Sequence, residues 1–237
     1  MTRYDLSKIL FLDIETVSQK PRYEDLNERM QALWDKKSNS IRKQGDEELT
    51  NSDLYERAAI YAEFGKIVCI SVGFIKDNTL RIKSYYSHDE AELLNGFAEL
   101  LNRHYCGLGC TLCAHNGKEF DFPYIARRMV INGIMTPKIL DVAGKKPWET
   151  SFLDTMELWK FGDYKSYTSL ELLCAVLDIP TPKDDINGSQ VGQVYWKEND
   201  LERIKTYCQK DVISIVQIMR RYTYQPLITD DNIEYIG

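Results

Sequence analysis

The run Phe11-Leu12-Asp13-Ile14-Glu15-Thr16 sets two carboxylates two positions apart inside an apolar stretch. Successive side chains of a strand point to opposite faces, so Asp13 and Glu15 share one face and Leu12 and Ile14 the other. Two like charges side by side repel unless something positive sits between them. The pair therefore suits a cation site, and it equally suits a solvated strand end. A third carboxylate, Asp211, falls among Ile204, Tyr207, Cys208, Ile215, Ile218, Met219 and Tyr222, which share one face of a helix advancing about 100° per residue. Near the centre of such a stripe an unpaired charge costs several kcal/mol, so Asp211 must meet a cation, a hydrogen-bond donor or a proton. Tyr207 lies one turn earlier on the same face, as a core tyrosine with a satisfied hydroxyl or as a partner in chemistry. Asp121, in Ala114-His115-Asn116-Gly117-Lys118-Glu119-Phe120-Asp121-Phe122-Pro123, stands where a strand gives way to a helix. By itself it reads as a helix N-cap.

The elements that must carry these residues follow from periodicity. Residues 9–14, 66–75 and 80–86 are apolar runs suited to strands, with Asp77-Asn78 as a hairpin turn. Residues 89–104 have helical spacing, 110–115 form a short strand, and a helix with Pro123 in its first turn follows. Thr168 with Glu171, and Asn199 with Glu202, are spaced as capping boxes. The first opens a helix over 170–177 that Pro180 stops, and the second opens a long helix to about Tyr222. Residues 19–51 are polar, with helix formers around 23–42, and a helix is expected near 53–63. The polar stretch reads as an insertion on the sheet edge. Strands first and helices later predict an α/β class, a mixed central sheet flanked by helices, in a single domain over 1–237.

The 237 residues are 43% hydrophobic, enough for one sizeable core, and carry a net charge of −6. That charge weighs against a protein that coats nucleic acid non-specifically. It leaves room for an enzyme whose own carboxylates hold metal ions. No apolar run approaches the ~18 residues of a spanning helix, and the first residues lack a signal-peptide layout, so no membrane association and a cytoplasmic location are expected. Six cysteines are too few for a disulfide scaffold and read as reduced thiols. Cys106, Cys110, Cys113 and His115 lack the second paired half of a zinc site.

Taken in order, Asp13-Ile14-Glu15, Asn116 to Asp121, and Tyr207-Cys208-Gln209-Lys210-Asp211 resemble the three exonuclease motifs of the DEDD superfamily. The similarity is best to stand-alone 3′–5′ exonucleases related to the exonuclease domain of family B DNA polymerases. It extends to Phe152-Leu153-Asp154-Thr155-Met156-Glu157 and the last helix, and leaves out residues 19–51. A second branch of the superfamily has a histidine five residues before the last aspartate. Here that position is Thr206, so the chain resembles the tyrosine type.

The resemblance implies a ribonuclease H-like (DnaQ-like) fold and makes Asp13, Glu15, Asp121 and Asp211 metal ligands, with Tyr207 positioning the attacking water. Two divalent ions, Mg²⁺ or Mn²⁺, would offset the four carboxylates through the oxygen ligands they prefer. The implied reaction is hydrolysis at the 3′ end of a single-stranded nucleic acid, releasing nucleoside 5′-monophosphates. DNA is the expected substrate. An exoribonuclease of ribonuclease D type and a non-catalytic nucleic-acid-binding module on the same fold are the alternatives. Proofreading or repair would require a polymerase or repair partner in trans. Trp159, Phe161, Tyr164 and Tyr167 beside Lys160 and Lys165 are suited to stacking bases, or are core and edge aromatics. Asp154 reads as a support behind the ligands, Asp163 as a turn residue, and Arg127-Arg128 and Lys145-Lys146 as solvated faces.

Overall fold

The opening apolar run is the first strand, β1 (Ile9–Ser18), which continues four residues past the run that its hydrophobicity marks. In the computed structural model, which describes residues 4–180 and 186–237, β1 pairs antiparallel with β2 (Gly65–Lys76) and parallel with β4 (Thr111–Ala114). β2 returns as β3 (Thr79–Tyr86) through Asp77 and Asn78, at φ 53° and 61°. That left-handed pair is what a two-residue hairpin needs and what Asp and Asn tolerate. β5 (Leu153–Asp154) lies parallel to β4, and β6 (Ile233–Ile236) parallel to β3. The result is a mixed six-stranded sheet in the order β5-β4-β1-β2-β3-β6.

Alternation along β1 feeds two cores. Leu10, Leu12 and Ile14 pack with Leu94 and Phe97 of α2 (Glu90–His104) and with Phe122 and Ile125 of α3 (Asp121–Ile131). Ile9 and Phe11 face the opposite side, where Leu173 of α5 (Leu170–Val176) and Val212, Ile215 and Met219 of α7 (Leu201–Tyr222) cover them. Asp13 and Glu15 follow Phe11 in the alternation and so belong to the α7 side. Among the described residues no helix is long and apolar enough to cross a membrane. The six cysteines are free, with Cys69, Cys113, Cys174 and Cys208 buried.

Several local expectations change. The polar stretch after β1 does not lie on a sheet edge, because the edges are β5 and β6 and the stretch joins two internal strands. Its helix is α1 (Glu28–Ile41), and residues 53–63 form a 3₁₀ stretch, Asp53–Ile60, rather than an α-helix. Together they bury Trp34 completely against Leu54, Tyr55 and Phe64, with the indole Nε1 donating to Asn51 O at 2.8 Å. One tryptophan and its aromatic neighbours thus give a polar segment its own small core beside the end of β1. The helix caps move by one residue. Ser169 caps α5, its hydroxyl accepting the Leu172 amide at 3.2 Å, while the Thr168 hydroxyl lies 3.5 Å from Ser166 Oγ. Asp200 caps α7, since Asn199 sits in the left-handed region at φ 53°, ending a π-turn over Val194–Glu198 that continues α6 (Val191–Gln193).

Arg128 is not solvated. Its guanidinium is 4% exposed and binds Glu90, itself 7% exposed, at 2.8 and 2.5 Å, while a third nitrogen reaches Ala62 O at 2.8 Å. Glu90 Oε1 also accepts the Ile67 amide at 2.7 Å, so the pair ties α2 and α3 to β2. Glu90→Gln would leave a buried, unpaired cation, and equilibrium denaturation is expected to show a loss of about 3 kcal/mol or more. The neighbouring Arg127 is exposed, and Arg127→Ala should leave stability within about 0.5 kcal/mol.

Candidate active site

The centre of the site is where β1 meets α7. The Cys208 Sγ lies 3.4 Å from both the main-chain oxygen and Oδ2 of Asp13. Asp13, Glu15 and Cys208 each offer a ligand-type atom within 4.8 Å of the others. The pairing of β1 with β2 slips between Glu15 and Thr16, so that Glu15 opposes Cys69 while Thr16 opposes Ile67. Such bulges re-aim side chains beside functional clefts. Asp211 follows Cys208 by three residues on α7. It does not occupy the middle of the buried face: Val212 is fully buried there, and Asp211 is half-buried at its margin, as is Tyr207. The two carry a hydrogen bond to one another.

Asp121 reaches the same place from the other side of β1. It is the first residue of α3 and not its cap; Phe120 holds the cap position and makes no side-chain cap bond. The loop before it turns on Asn116, at φ 60°, and on Gly117, where a β-carbon would come within 2.4 Å of the Ala114 Cβ. β4 stops pairing with β1 at Phe11↔Cys113, which frees the next amides of β1. The Asp121 carboxylate takes backbone hydrogen bonds from Ile14 and from its own amide.

Asp154 holds this loop in place. Its carboxylate accepts the amides of Asn116 at 3.0 Å and Lys118 at 3.1 Å, and caps α4 (Thr155–Lys160) through Met156 and Glu157. The spacing Asp154 to Glu157 at the start of a helix is the sequence signal for that cap, and only the fold shows that the same carboxylate grips a second segment. His115 is structural: Nε2 bonds Thr168 O at 3.0 Å and Nδ1 lies 2.9 Å from Thr155 Oγ1. Burial pushes its pKa down, which keeps the ring neutral with the proton on Nε2. Asn116 Oδ1 is buried with no hydrogen-bond partner among the described residues.

The electrostatics are those of crowded anions. Burial pushes the Asp13 carboxyl well above its ordinary value, and Asp211, Glu15 and Asp121 push it further, with the Cys208 thiol opposing. Glu15 is raised by burial and then by Asp211, Cys69 and Asp121. Asp121 is pushed up to about 7 by burial, against its two backbone bonds, with Asp154 and Asp211 adding to the rise. Among the described residues no lysine or arginine is one of the groups acting on these three. Burial, then Asp211, Glu15 and Asp13, raise the Tyr207 phenol, so it carries its proton at neutral pH. Cys208 is raised by burial as well and stays a thiol, a donor to Asp13.

Hard carboxylate oxygens crowded together in this way are the donor set that Mg²⁺ and Mn²⁺ take. Asp121 and Asp211 lie outside the 4.8 Å group and act on Asp13 and Glu15 through their charge.

Comparison with known proteins agrees with this architecture. No curated protein sequence gives a match. The chain superposes over 91% of its length on the family B DNA polymerase of the hyperthermophilic archaeon Pyrobaculum calidifontis, with a TM-score of 0.53 and 14% identity. It spans 24% of that polymerase chain. The likeness is one of fold, ribonuclease H-like, with the mixed sheet between helices. A family model described as a predicted 3′–5′ exonuclease related to the exonuclease domain of PolB matches residues 59–229. That span includes Asp121, Tyr207 and Asp211, with Asp13 and Glu15 preceding it. The chain therefore belongs to the family of predicted 3′–5′ exonucleases related to the exonuclease domain of PolB.

Proposed function

We propose that the protein is a divalent-metal-dependent 3′–5′ exonuclease that removes nucleoside 5′-monophosphates from the 3′ end of a single strand, with DNA as the first substrate. The observation that carries the reading is the meeting of Asp13 and Glu15 with Asp211 and Asp121: burial and the neighbouring carboxylates, Asp211 among them, raise the carboxyls of Asp13, Glu15 and Asp121. Asp13, Glu15, Asp121 and Asp211 would hold two Mg²⁺ or Mn²⁺ ions. Bound there, the ions would neutralise the carboxylates, polarise the scissile phosphate and make water a better nucleophile.

The chain's own groups supply position. Tyr207, protonated and held by Asp211, can hydrogen-bond the attacking water and fix its line of approach to phosphorus; it does not act as the base. Cys208 fixes the rotamer of Asp13 from behind. Asp154 fixes the loop that delivers Asp121. In the balanced reaction one water adds to phosphorus, the bond to the 3′ oxygen breaks, and that oxygen leaves with a proton.

Purified protein incubated with a 5′-labelled oligonucleotide and Mg²⁺ or Mn²⁺ should give a ladder shortening from the 3′ end. Parallel DNA and RNA time courses rank the two substrates. A label that stays at full length with both metals and both polymers overturns the reading. Tyr207→Phe should lower kcat about 10- to 100-fold while calorimetry shows divalent-ion binding retained.

A further inference from the structure

Residues 159–167 hold four aromatic side chains and two lysines, and the fold divides them. Trp159 is anchored: it stacks on Tyr222 at 6.2 Å and 9°, and the Tyr222 hydroxyl donates to Thr155 O at 3.0 Å. The other three point away from any core, with Phe161 77%, Tyr164 91% and Tyr167 67% exposed. Phe161 meets Trp159 only edge-on, at 6.4 Å.

Stability does not account for this group. Phe161 ends α4 in the left-handed region, at φ 44°, directly before Gly162 at φ 93°. A bulky residue is strained there and glycine is not, and a ring left mostly in water recovers little by burial. Strain kept without burial marks a residue held for another purpose. The charges beside the rings are positive. Lys160 Nζ lies 4.3 Å from the centre of the Tyr167 ring, and among the described residues neither Lys160 nor Lys165 enters an ion pair. The one carboxylate inside the segment, Asp163, accepts the Lys165 amide at 2.9 Å.

The segment is also continuous with the carboxylate site. Asp154, just before α4, holds the amides of Asn116 and Lys118, and Thr168, just after Tyr167, accepts from His115. Both ends are thus fastened to the loop that leads to Asp121.

We propose that Phe161, Tyr164 and Tyr167, with Lys160 and Lys165, form a stacking platform for the single-stranded nucleic acid that leads into the site. Every base has a π-face, so exposed rings bind a strand without regard to sequence, while ammonium groups meet its phosphates. Alternation of rings with lysines fits a strand, in which bases and phosphates alternate, better than a continuous apolar protein surface. The inference rests on the nuclease reading of the neighbouring carboxylates, but its test does not depend on turnover.

The affinity of a fluorescein-labelled oligothymidylate is measured by anisotropy on the full chain carrying Asp13→Asn, in Mg²⁺. Adding Tyr164→Ala should weaken binding about ten-fold, and Tyr167→Ala should do likewise. Tyr164→Phe, which keeps a ring, should restore it and Tyr164→Leu should not. Tyr235→Ala, an exposed tyrosine on the opposite edge strand β6, should change nothing. Phe161→Gly should lower affinity while the melting temperature stays level or rises, a combination that a purely structural role would not produce. Affinity unchanged by the Tyr164 and Tyr167 substitutions, affinity kept by Tyr164→Leu, or no oligonucleotide binding at all overturns the platform. Loss of affinity in these variants alongside a wild type that cleaves nothing would leave the platform standing and remove the nuclease reading.

Discussion

Asp13→Asn is expected to lower exonuclease activity by at least about 10³-fold, with the fold intact. The substitution preserves size and keeps one carbonyl oxygen. It removes the negative charge and replaces one ligand oxygen with an NH₂ group that can only donate. Asp13 packs against Glu15 and Cys208 within 4.8 Å and is acted on by Asp211 and Asp121, so it is the position from which all four carboxylates are coupled. Asp211→Asn should have an effect of the same order, and it leaves Tyr207 one neutral acceptor oxygen where the carboxylate offers two charged ones. Rates on a 5′-labelled oligonucleotide, with calorimetric titration of Mn²⁺ on the same samples, check both expectations. A variant that shortens the oligonucleotide at the wild-type rate would show that the reaction does not run through these carboxylates.

The metal-free protein should lose stability as pH rises from 5 to 8, and divalent ions should restore most of it at the upper end. Asp121 titrates near 7 in the folded protein and, like any unfolded aspartate, near 3.9 once the chain opens. The folded state therefore binds its proton more tightly than the unfolded state does. Its contribution is fully present below about pH 4 and is lost as pH rises through 7, by an amount of order 4 kcal/mol. Asp13 and Glu15 are raised by the same causes and add in the same direction.

Carboxylates held by donors, such as Asp46 beside Arg57, are shifted the opposite way, so their contribution falls at much lower pH and does not mask the effect. Asp121→Asn should flatten the decline and raise the melting temperature of the metal-free protein at pH 8. An ion present at about 100 times its Kd adds about 2.7 kcal/mol, and more at pH 8 than at pH 5 because it competes with protons for the same oxygens. Denaturation midpoints across pH, with EDTA and with Mg²⁺, measure this. A metal-free protein that is equally stable at pH 5 and 8, and a wild type that matches Asp121→Asn, would mean that these carboxyls are relieved by some other partner.

A cluster of buried acids is a poor way to stabilise a fold, and substitutions that neutralise it should make the metal-free protein sturdier while removing the activity. That trade is characteristic of sites kept for chemistry.

Much of the architecture was legible because it is local. Alternation in β1 and the Asp77-Asn78 turn report on neighbours a few residues away, and helical spacing in α2 and α7 does the same. Legibility ends where two local solutions compete. Ser169 caps α5 in place of Thr168, whose carbonyl is held by His115 through a bond that spans 53 residues. Arg128 looks like its neighbour Arg127 in the sequence, and only the arrival of Glu90 beside it makes burial affordable. The polar stretch carries Trp34 and Leu26, and they become a small separate core only because Leu54, Tyr55, Ala58 and Phe64 arrive from beyond the stretch.

Sequence alone determined which residues are available for chemistry: paired acids on one face of a strand, an acid and a tyrosine one turn apart on a helix, and an acid at a strand-to-helix junction. Side-chain type and backbone period settle those facts without any long-range contact. The tertiary structure decided that they meet. Cys208 lies 195 residues from the Asp13 it touches, and the contact exists because β1 lies inside the sheet, between β4 and β2, with α7 packed across it. It also moved Asp211 from the middle of a buried stripe to its margin, where a half-buried carboxylate can face ligands. The reason is that burial and convergence are properties of the packed sheet, and the repulsion that defines the site appears only when packing brings like charges together and strips them of water.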